Sequence, residues 1–201
     1  RVMLEALSRL TFLPGFRLQV NNRKLLQGFY AGLGVADVDE AMRLVDKLDK
    51  LPAEKVRELL VTEGGLSAGQ ADKVLALAEI CTPDDSFVER VRALGVEHPL
   101  LEEGLAELAE LVRGCADIVT DTVRIEADLK IARGLDYYTG TVFETRLDGY
   151  ESLGSICSGG RYDALASDGK NTYPGVGISL GVTRLLAILA GHRRYAHVTA
   201  L

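Results

Sequence analysis

The most regular hydrophobic pattern in the chain runs from Val123 to Ile131, where apolar and charged residues alternate. A period of two is typical of a β-strand with one buried face. The alternation resumes from Thr141 to Leu147 and predicts a second strand. Extending the first strand by two residues would put Arg133 on the buried side, where a guanidinium is costly unless it is paired or faces a polar cavity.

Other stretches predict further elements of both kinds. A strand is predicted over residues 16–20, where Phe16, Leu18 and Val20 share one side, and two more over residues 152–158 and 175–181. Apolar residues at helical spacing, with capping residues at the ends, predict helices over residues 2–10, 23–33, 163–167 and 182–190, and five more between residues 37 and 114.

This order of elements predicts an α+β fold, in which a largely antiparallel sheet is flanked by helices and interrupted by an all-helical insertion. We place the insertion at residues 35–115, between a first segment at residues 1–34 and a strand-rich segment at residues 116–191. Residues 192–201 are interpreted as a basic exit linker.

Composition supports a sizeable core, because 47% of the 201 residues are hydrophobic. The net charge of −6 is unfavourable for a nucleic-acid binder taken as a whole. The acidity is concentrated in residues 35–115, which hold 18 acidic and 9 basic side chains. The remainder is mildly basic, which suits a site for phosphates; an ordinary solvated helical surface explains the same distribution equally well.

The cysteines argue against disulfides and structural zinc. Cys81, Cys115 and Cys157 are odd in number and widely spaced, which fits a reducing cytoplasm. The histidines also lack metal-ligand spacing, so no metal site is predicted. The sequence contains no run of 18 apolar residues, so no membrane span is predicted.

Three stretches together resemble the histidyl-tRNA synthetase family of class II aminoacyl-tRNA synthetases. Residues 133–144, Arg-Gly-Leu-Asp-Tyr-Tyr-Thr-Gly-Thr-Val-Phe-Glu, resemble the family's first histidine-specific motif. Residues 158–165 resemble its second, and residues 175–185 resemble class II motif 3; a weaker similarity covers residues 20–26. From the residues alone, a hairpin whose arginine pairs with a core carboxylate remains an equal alternative for Arg133.

The resemblance implies a reaction in two steps. The carboxylate of histidine attacks the α-phosphate of ATP, and the resulting adenylate then acylates the terminal ribose of histidine tRNA. Arg133 would contact the α-phosphate and the substrate carboxylate, and Arg184 would hold the outer phosphates of ATP; both are therefore candidate catalytic residues. Arginine suits this task because its planar fork binds two oxygens and keeps its proton.

The resemblance also assigns the binding residues. Tyr137 and Tyr138 would line the imidazole pocket, with Tyr138 in direct contact, and the pair Gly159–Gly160 would form its floor. Gly177 and Gly181 would leave room for ATP beside a bare strand, although tight packing against a helix explains glycines there at least as well.

The implied substrates are L-histidine, ATP with Mg²⁺, and histidine tRNA, and the full-length enzyme is expected to be a homodimer. Class II motifs 1 and 2 and an anticodon-binding domain are not found, so we expect a fragment of the catalytic domain that is inactive alone. One alternative is a non-catalytic, synthetase-like regulatory subunit of histidine biosynthesis. Another is an interaction module built on the helical insertion.

Overall fold

The computed structural model describes residues 1–132 and 137–191. The candidate catalytic residue Arg133 and the predicted linker at 192–201 therefore lie outside the described residues. The helices are α1 (Val2–Ser8), α2 (Arg23–Gly32), α3 (Val38–Asp46), α4 (Ala53–Thr62), α5 (Ala68–Ala78), α6 (Phe87–Arg92), α7 (Pro99–Arg113) and α8 (Val182–Gly191). The strands are β1 (Phe16–Asn22), β2 (Cys81–Thr82), β3 (Val123–Asp128), β4 (Thr141–Leu147), β5 (Cys157–Tyr162) and β6 (Gly175–Leu180). None of the helices in these ranges is both long and apolar enough to cross a membrane.

One six-stranded sheet organises the described residues, in the order β2-β3-β1-β4-β5-β6. Only β1 and β3 pair in parallel, and every other described pair is antiparallel. The predicted α+β fold with a largely antiparallel sheet is therefore confirmed. Apolar and polar residues alternate along β1 and β3, which gives the sheet an apolar face that includes Leu18, Val20 and Ile125. Helix α7 packs against both strands.

The opposite face of the sheet carries a row of polar side chains. Gln19 on β1 is level with Glu126 on β3 and with Glu144 on β4. Glu144 is in turn level with Ser158 on β5, and Ser158 with Ser179 on β6. Residues paired across strands point to the same face, so these five polar residues form one row across five strands.

Two glycines allow α2 and α7 to touch through their backbones. A Cβ on Gly28 would lie 2.2 Å from the backbone nitrogen of Leu101. A Cβ on Gly104 would lie 2.2 Å from the backbone nitrogen of Leu25. Because no side chain fits between the helices at these points, α7 is fixed to α2 and, through α2, to the start of the sheet.

Strand β3 ends earlier than its hydrophobic alternation predicts. It stops at Asp128, whose carbonyl accepts a hydrogen bond from the backbone N–H of Ile131 and whose carboxylate accepts one from that of Lys130. The chain therefore turns after Asp128, although Leu129 and Ile131 remain buried. The strand phase cannot be extended to residue 133, and that argument for an inward-facing Arg133 is lost.

Two predictions around the second histidine-specific motif are wrong, one in the bounds of a strand and one in expecting a helix. Residues 151–153 form a 3₁₀ turn, and β5 begins only at Cys157 and continues through both glycines to Tyr162. The helix predicted over residues 163–167 is a turn. Asp163 accepts hydrogen bonds from the side chains of Thr139 and Arg161 instead of capping a helix.

The segment 35–115 contains α3 to α7, as its periodicity predicts, but one detail differs from an all-helical insertion. Cys81–Thr82 forms β2, which extends the main sheet by pairing with Asp128 and Ala127 of β3. A strand of two residues is too short for its alternation to be visible in the sequence. The division of the chain into 1–34, 35–115 and 116–191 stays a prediction.

Candidate active site

A cavity of about 190 Å³ opens on the polar face of the sheet, between β4, β5 and the first turn of α8. It brings together four residues predicted from the sequence: Tyr137, Tyr138, Gly159 and Arg184. The remaining lining residues are Ile131, Val142, Phe143, Glu144, Ser155 and Ser158. The cavity therefore joins all three motif segments, which are separated along the chain.

Tyr137 and Tyr138 form one wall of this cavity as a tilted aromatic pair. Their ring centroids are 4.2 Å apart with an interplanar angle of 51°. Tyr137 is 42% exposed, whereas Tyr138 is more enclosed. Burial raises the pKa of the Tyr138 hydroxyl above its ordinary value, and a hydrogen bond with Tyr137 raises it further. Tyr138 therefore remains a neutral phenol, able to donate and accept a hydrogen bond.

The two glycines of β5 have different roles. Gly159 lines the cavity, and a Cβ there would lie 2.6 Å from Cζ of Phe143 and closer still to the carbonyl oxygen of Gly177. Gly160 does not line the cavity; it leaves the space into which the ring of Tyr138 packs. The assignment of both glycines to a substrate-pocket floor stays a prediction.

Arg184 reaches the cavity from the first turn of α8. The backbone N–H of Arg184 donates to the carbonyl of Gly181 at 3.0 Å, and its guanidinium donates to the carbonyl of Ser155. Gly181 donates in turn to the carbonyl of Ile156 at 2.8 Å. The start of α8 is thus tied to the loop before β5, which directs an exposed cationic side chain into the cavity.

Gly177 and Gly181 do not line the cavity themselves. A Cβ on Gly177 would lie 3.2 Å from Cε1 of Tyr162, so this glycine lets the tyrosine ring pack over β6. Gly181 has the carbonyl oxygen of Ile156 3.1 Å from its Cβ position. Both positions are explained here by close packing, and their role in ATP binding stays a prediction.

Glu144 is a cavity residue to which the sequence analysis gave no role. It is only 2% exposed, and its Oε2 lies 3.6 Å from Nη2 of Arg146. A buried carboxylate needs such a partner, because burying an isolated charge costs several kcal/mol, about the scale of a broken buried pair. The signal that could identify Glu144 is its charge at the end of the first histidine-specific motif, in a strand whose only other charged residue is Arg146.

The donor set in the cavity does not form a protein cage for Mg²⁺. Among the lining residues that the structure describes, Glu144 is the only carboxylate, and it faces a cation. Within residues 1–132 and 137–191, no three His, Cys, Asp or Glu side chains are grouped to hold a metal ion. Mg²⁺ generally binds through substrate phosphates and water with only one or two carboxylates, so the phosphates of ATP would supply most of its ligands.

A second cavity of about 470 Å³ is also lined by the tyrosine pair. It is lined by Tyr137, Tyr138 and Thr139 together with Arg23, Gln27, Asp39, Arg43, Ala164 and Leu165. Nη2 of Arg23 donates to Asp39 at 2.8 Å, and Nη1 of Arg43 donates to Glu40 at 3.1 Å. Tyr137 and Tyr138 therefore both line the two cavities.

Comparison with known proteins agrees with the motifs that line the first cavity. A family model described as "Histidyl-tRNA synthetase" matches residues 1–185. The chain is 58% identical over 189 residues to "Histidine--tRNA ligase" of Cutibacterium acnes. The matched region covers 92% of this chain and 41% of that protein. It is 59% identical over 185 residues to "Histidine--tRNA ligase" of Micrococcus luteus, covering 92% of this chain and 40% of that protein.

A solved structure extends the agreement to three dimensions. The crystal structure of histidyl-tRNA synthetase from Nostoc sp. superposes with a TM-score of 0.84 at 35% identity, covering 97% of this chain and 46% of that one. The chain thus spans about two fifths of the length of the curated relatives above. On the family match, which spans nearly all of its residues, the chain belongs to the histidyl-tRNA synthetase family.

Proposed function

We propose that this chain is the part of a histidine–tRNA ligase that holds histidine and ATP during formation of histidyl-adenylate. The observation that carries the proposal is the meeting of Tyr138, Glu144 and Arg184 in one cavity. Aromatic, anionic and cationic groups there match a substrate pair that offers an imidazole, an ammonium group and phosphates. Sequence motifs alone do not require these three side chains to line the same cavity, so their convergence is independent support for the proposal.

Arg184 is proposed to bind the outer phosphates of ATP. In the first step an oxygen of the histidine carboxylate attacks the α-phosphorus, and the bond to the pyrophosphate leaving group breaks. Negative charge increases on the phosphate oxygens, where a preformed cationic donor is most effective. The contact with the Ser155 carbonyl pre-orients the guanidinium. Arg133, outside the described residues, is proposed to act at the α-phosphate and the attacking carboxylate.

The histidine substrate is proposed to lie against Tyr138 and Glu144. The raised pKa of Tyr138 keeps its hydroxyl protonated, so it can hydrogen-bond an imidazole nitrogen while its ring provides apolar contact. The carboxylate of Glu144 is suited to accept an N–H of the substrate, from either the imidazole or the ammonium group. Discrimination against other amino acids then depends on buried polar groups that only histidine satisfies.

The second step and the cellular setting complete the proposal. A hydroxyl of the terminal ribose of histidine tRNA attacks the carbonyl of the adenylate, and AMP leaves. The Mg²⁺ that accompanies ATP would neutralise phosphate charge. We propose that the full-length enzyme, meaning this chain with the flanking segments that its relatives carry, works as a homodimer in the cytoplasm.

The test is histidine-dependent exchange of pyrophosphate into ATP by the full-length enzyme. We expect exchange with histidine and none with the other amino acids above the background without amino acid. The Arg57→Ala variant is a matched control, since Arg57 pairs with Asp72 on an exposed surface and lines neither cavity. Exchange that is absent, or independent of histidine, would overturn the proposed function.

A further inference from the structure

A chain of charged contacts begins at Glu144 in the active-site cavity. Glu144 and Arg146 are two residues apart on β4, so their side chains share the polar face of the sheet. Nη2 of Arg146 lies 3.6 Å from Oε2 of Glu144, whose side chain is 3% exposed. The Arg146 guanidinium is therefore placed to help hold the carboxylate in its position in the cavity.

Arg146 is held by a residue of the helical segment. Its Nη2 donates a hydrogen bond to Oδ2 of Asp49 at 3.2 Å. Asp49 ends the 3₁₀ turn that follows α3, and its Oδ1 lies 3.6 Å from Nζ of Lys130, just after β3. Asp49 thus joins two cations that come from different strands of the sheet.

These contacts are partly shielded from water. The side chains of Asp49 and Arg146 are 23% and 25% exposed. By contrast, the side chains of the Arg57–Asp72 pair are 41% and 59% exposed. Exposed pairs contribute little and are screened by salt, whereas partly buried charges keep more of their mutual attraction. The Asp49–Arg146–Glu144 chain is therefore suited to fix a side-chain position.

We propose that Arg146 is a positioning residue that holds the Glu144 carboxylate ready to accept an N–H of histidine, and that Asp49 holds Arg146. This inference rests on the proposed function, because it names the substrate that Glu144 receives. It also gives the helical segment a direct influence on amino-acid binding. That influence passes through Asp49, which contacts β4 without lining the active-site cavity.

The test uses steady-state pyrophosphate exchange by the full-length enzyme and its variants. In Arg146→Ala the carboxylate loses this cationic partner, and we expect the KM for histidine to rise about tenfold, within the range of coupling energies between contacting residues. The KM for ATP should change less than twofold. Arg146→Lys should recover part of the histidine affinity, since it restores a cation at that position. Asp49→Asn should raise the KM for histidine about threefold.

A double-mutant cycle separates this chain of contacts from two independent effects. If Asp49 acts through Arg146, combining Asp49→Asn with Arg146→Ala should be no worse than Arg146→Ala alone. Arg57→Ala is the matched control for removing a paired arginine. Thermal unfolding of every variant detects general loss of structure, which would raise both KM values together.

Each contrary result has a distinct meaning. An Arg146→Ala enzyme with an unchanged KM for histidine would overturn the positioning role, and so would equal increases of both KM values. Additive effects of the two substitutions would overturn the link from Asp49. A wild-type enzyme that neither binds histidine nor supports exchange would overturn the proposed function itself, and with it this inference.

Discussion

Gly160 lies directly against the ring of Tyr138: a Cβ built on this glycine would stand 2.8 Å from Cδ1 of the tyrosine and 2.7 Å from the carbonyl oxygen of Thr141. The aromatic wall of the candidate active site therefore depends on the absence of a side chain in the adjacent strand. This explains the need for glycine at residue 160, although the residue does not line the cavity.

Replacing Gly160 with alanine should displace Tyr138 and destabilise the chain. The added methyl group has no space beside the Thr141 carbonyl, and overpacking of this kind costs about 1–3 kcal/mol. Chemical unfolding measures the loss of stability, and the KM for histidine should rise as well. Gly69→Ala is the control, because its Cβ meets nothing within 4 Å on an exposed part of α5. Equal effects of the two substitutions would contradict the prediction.

Removing the hydroxyl of Tyr138 tests direct contact with histidine. Tyr138→Phe keeps the ring that packs against Gly160 but loses the hydrogen bond, so the KM for histidine should rise about tenfold, corresponding to one net hydrogen bond of about 1–1.5 kcal/mol. Because its pKa is raised, Tyr138 stays neutral in the wild type, and the ratio of the two KM values should not vary between pH 6 and 9. Tyr137→Phe is the comparison. A larger effect from Tyr137 would reverse the assignment.

Removing the guanidinium of Arg184 should chiefly weaken the use of ATP. In Arg184→Ala the KM for ATP should rise and the rate of adenylate formation should fall by about 10²-fold, the scale for losing one preorganised donor. Single-turnover adenylate formation separates this effect from product release. A variant whose main defect is in histidine binding, with normal ATP binding, would show that Arg184 is assigned to the wrong substrate.

The contact between α2 and α7 should not tolerate a methyl group. In Gly28→Ala the new Cβ meets the backbone of Leu101, so the helices must separate, and we expect a loss of at least about 3 kcal/mol in the free energy of unfolding. Chemical denaturation of the chain measures it. The Gly69→Ala control should be neutral or slightly stabilising, since alanine favours helix. A tolerated Gly28→Ala would mean that the helices are free to move apart.

Asp128 should make stability depend on pH. Burial raises the pKa of its carboxyl above the ordinary value of 3.8. The folded chain therefore holds this proton longer than the unfolded chain, and the free energy of unfolding falls as pH rises from about 3.8 through the raised pKa. Asp128→Asn removes that decrease, so the variant should gain stability relative to the wild type between pH 4 and pH 7. Denaturation at the two values checks this; a constant difference would refute it.

The sequence predicted the parts of the fold that have a repeating burial pattern. Strand β4 occupies residues 141–147, as its alternation predicts. Strand β5 was misplaced because two of its residues are glycines, which carry no side chain to reveal which face is buried. Its course is set by β4 on one side and β6 on the other. Such pairing is a tertiary interaction that local patterns do not contain.

The active site divides in the same way. Tyr138 and Arg184 are predicted from the sequence because their motifs are contiguous and resemble a known family, and both line the cavity. Glu144 is not predicted, because its place in the cavity depends on the row of residues level with it across the sheet. The contact from Asp49 to Arg146 joins residues almost a hundred positions apart, and no periodicity in the sequence relates them.

The parallel pairing of β1 with β3 has a consequence for how the chain folds. Phe16 is level with Val123, so β1 and β3 can pair only when the whole segment between them closes into a loop. Closing so long a loop is entropically slow. We expect the backbone contact between α2 and α7 to form before this pairing, because it brings the two ends of that loop together and leaves a shorter loop to close. On this hypothesis α2 and α7 belong to the folding nucleus, and Gly28→Ala should slow refolding as well as weaken the folded chain.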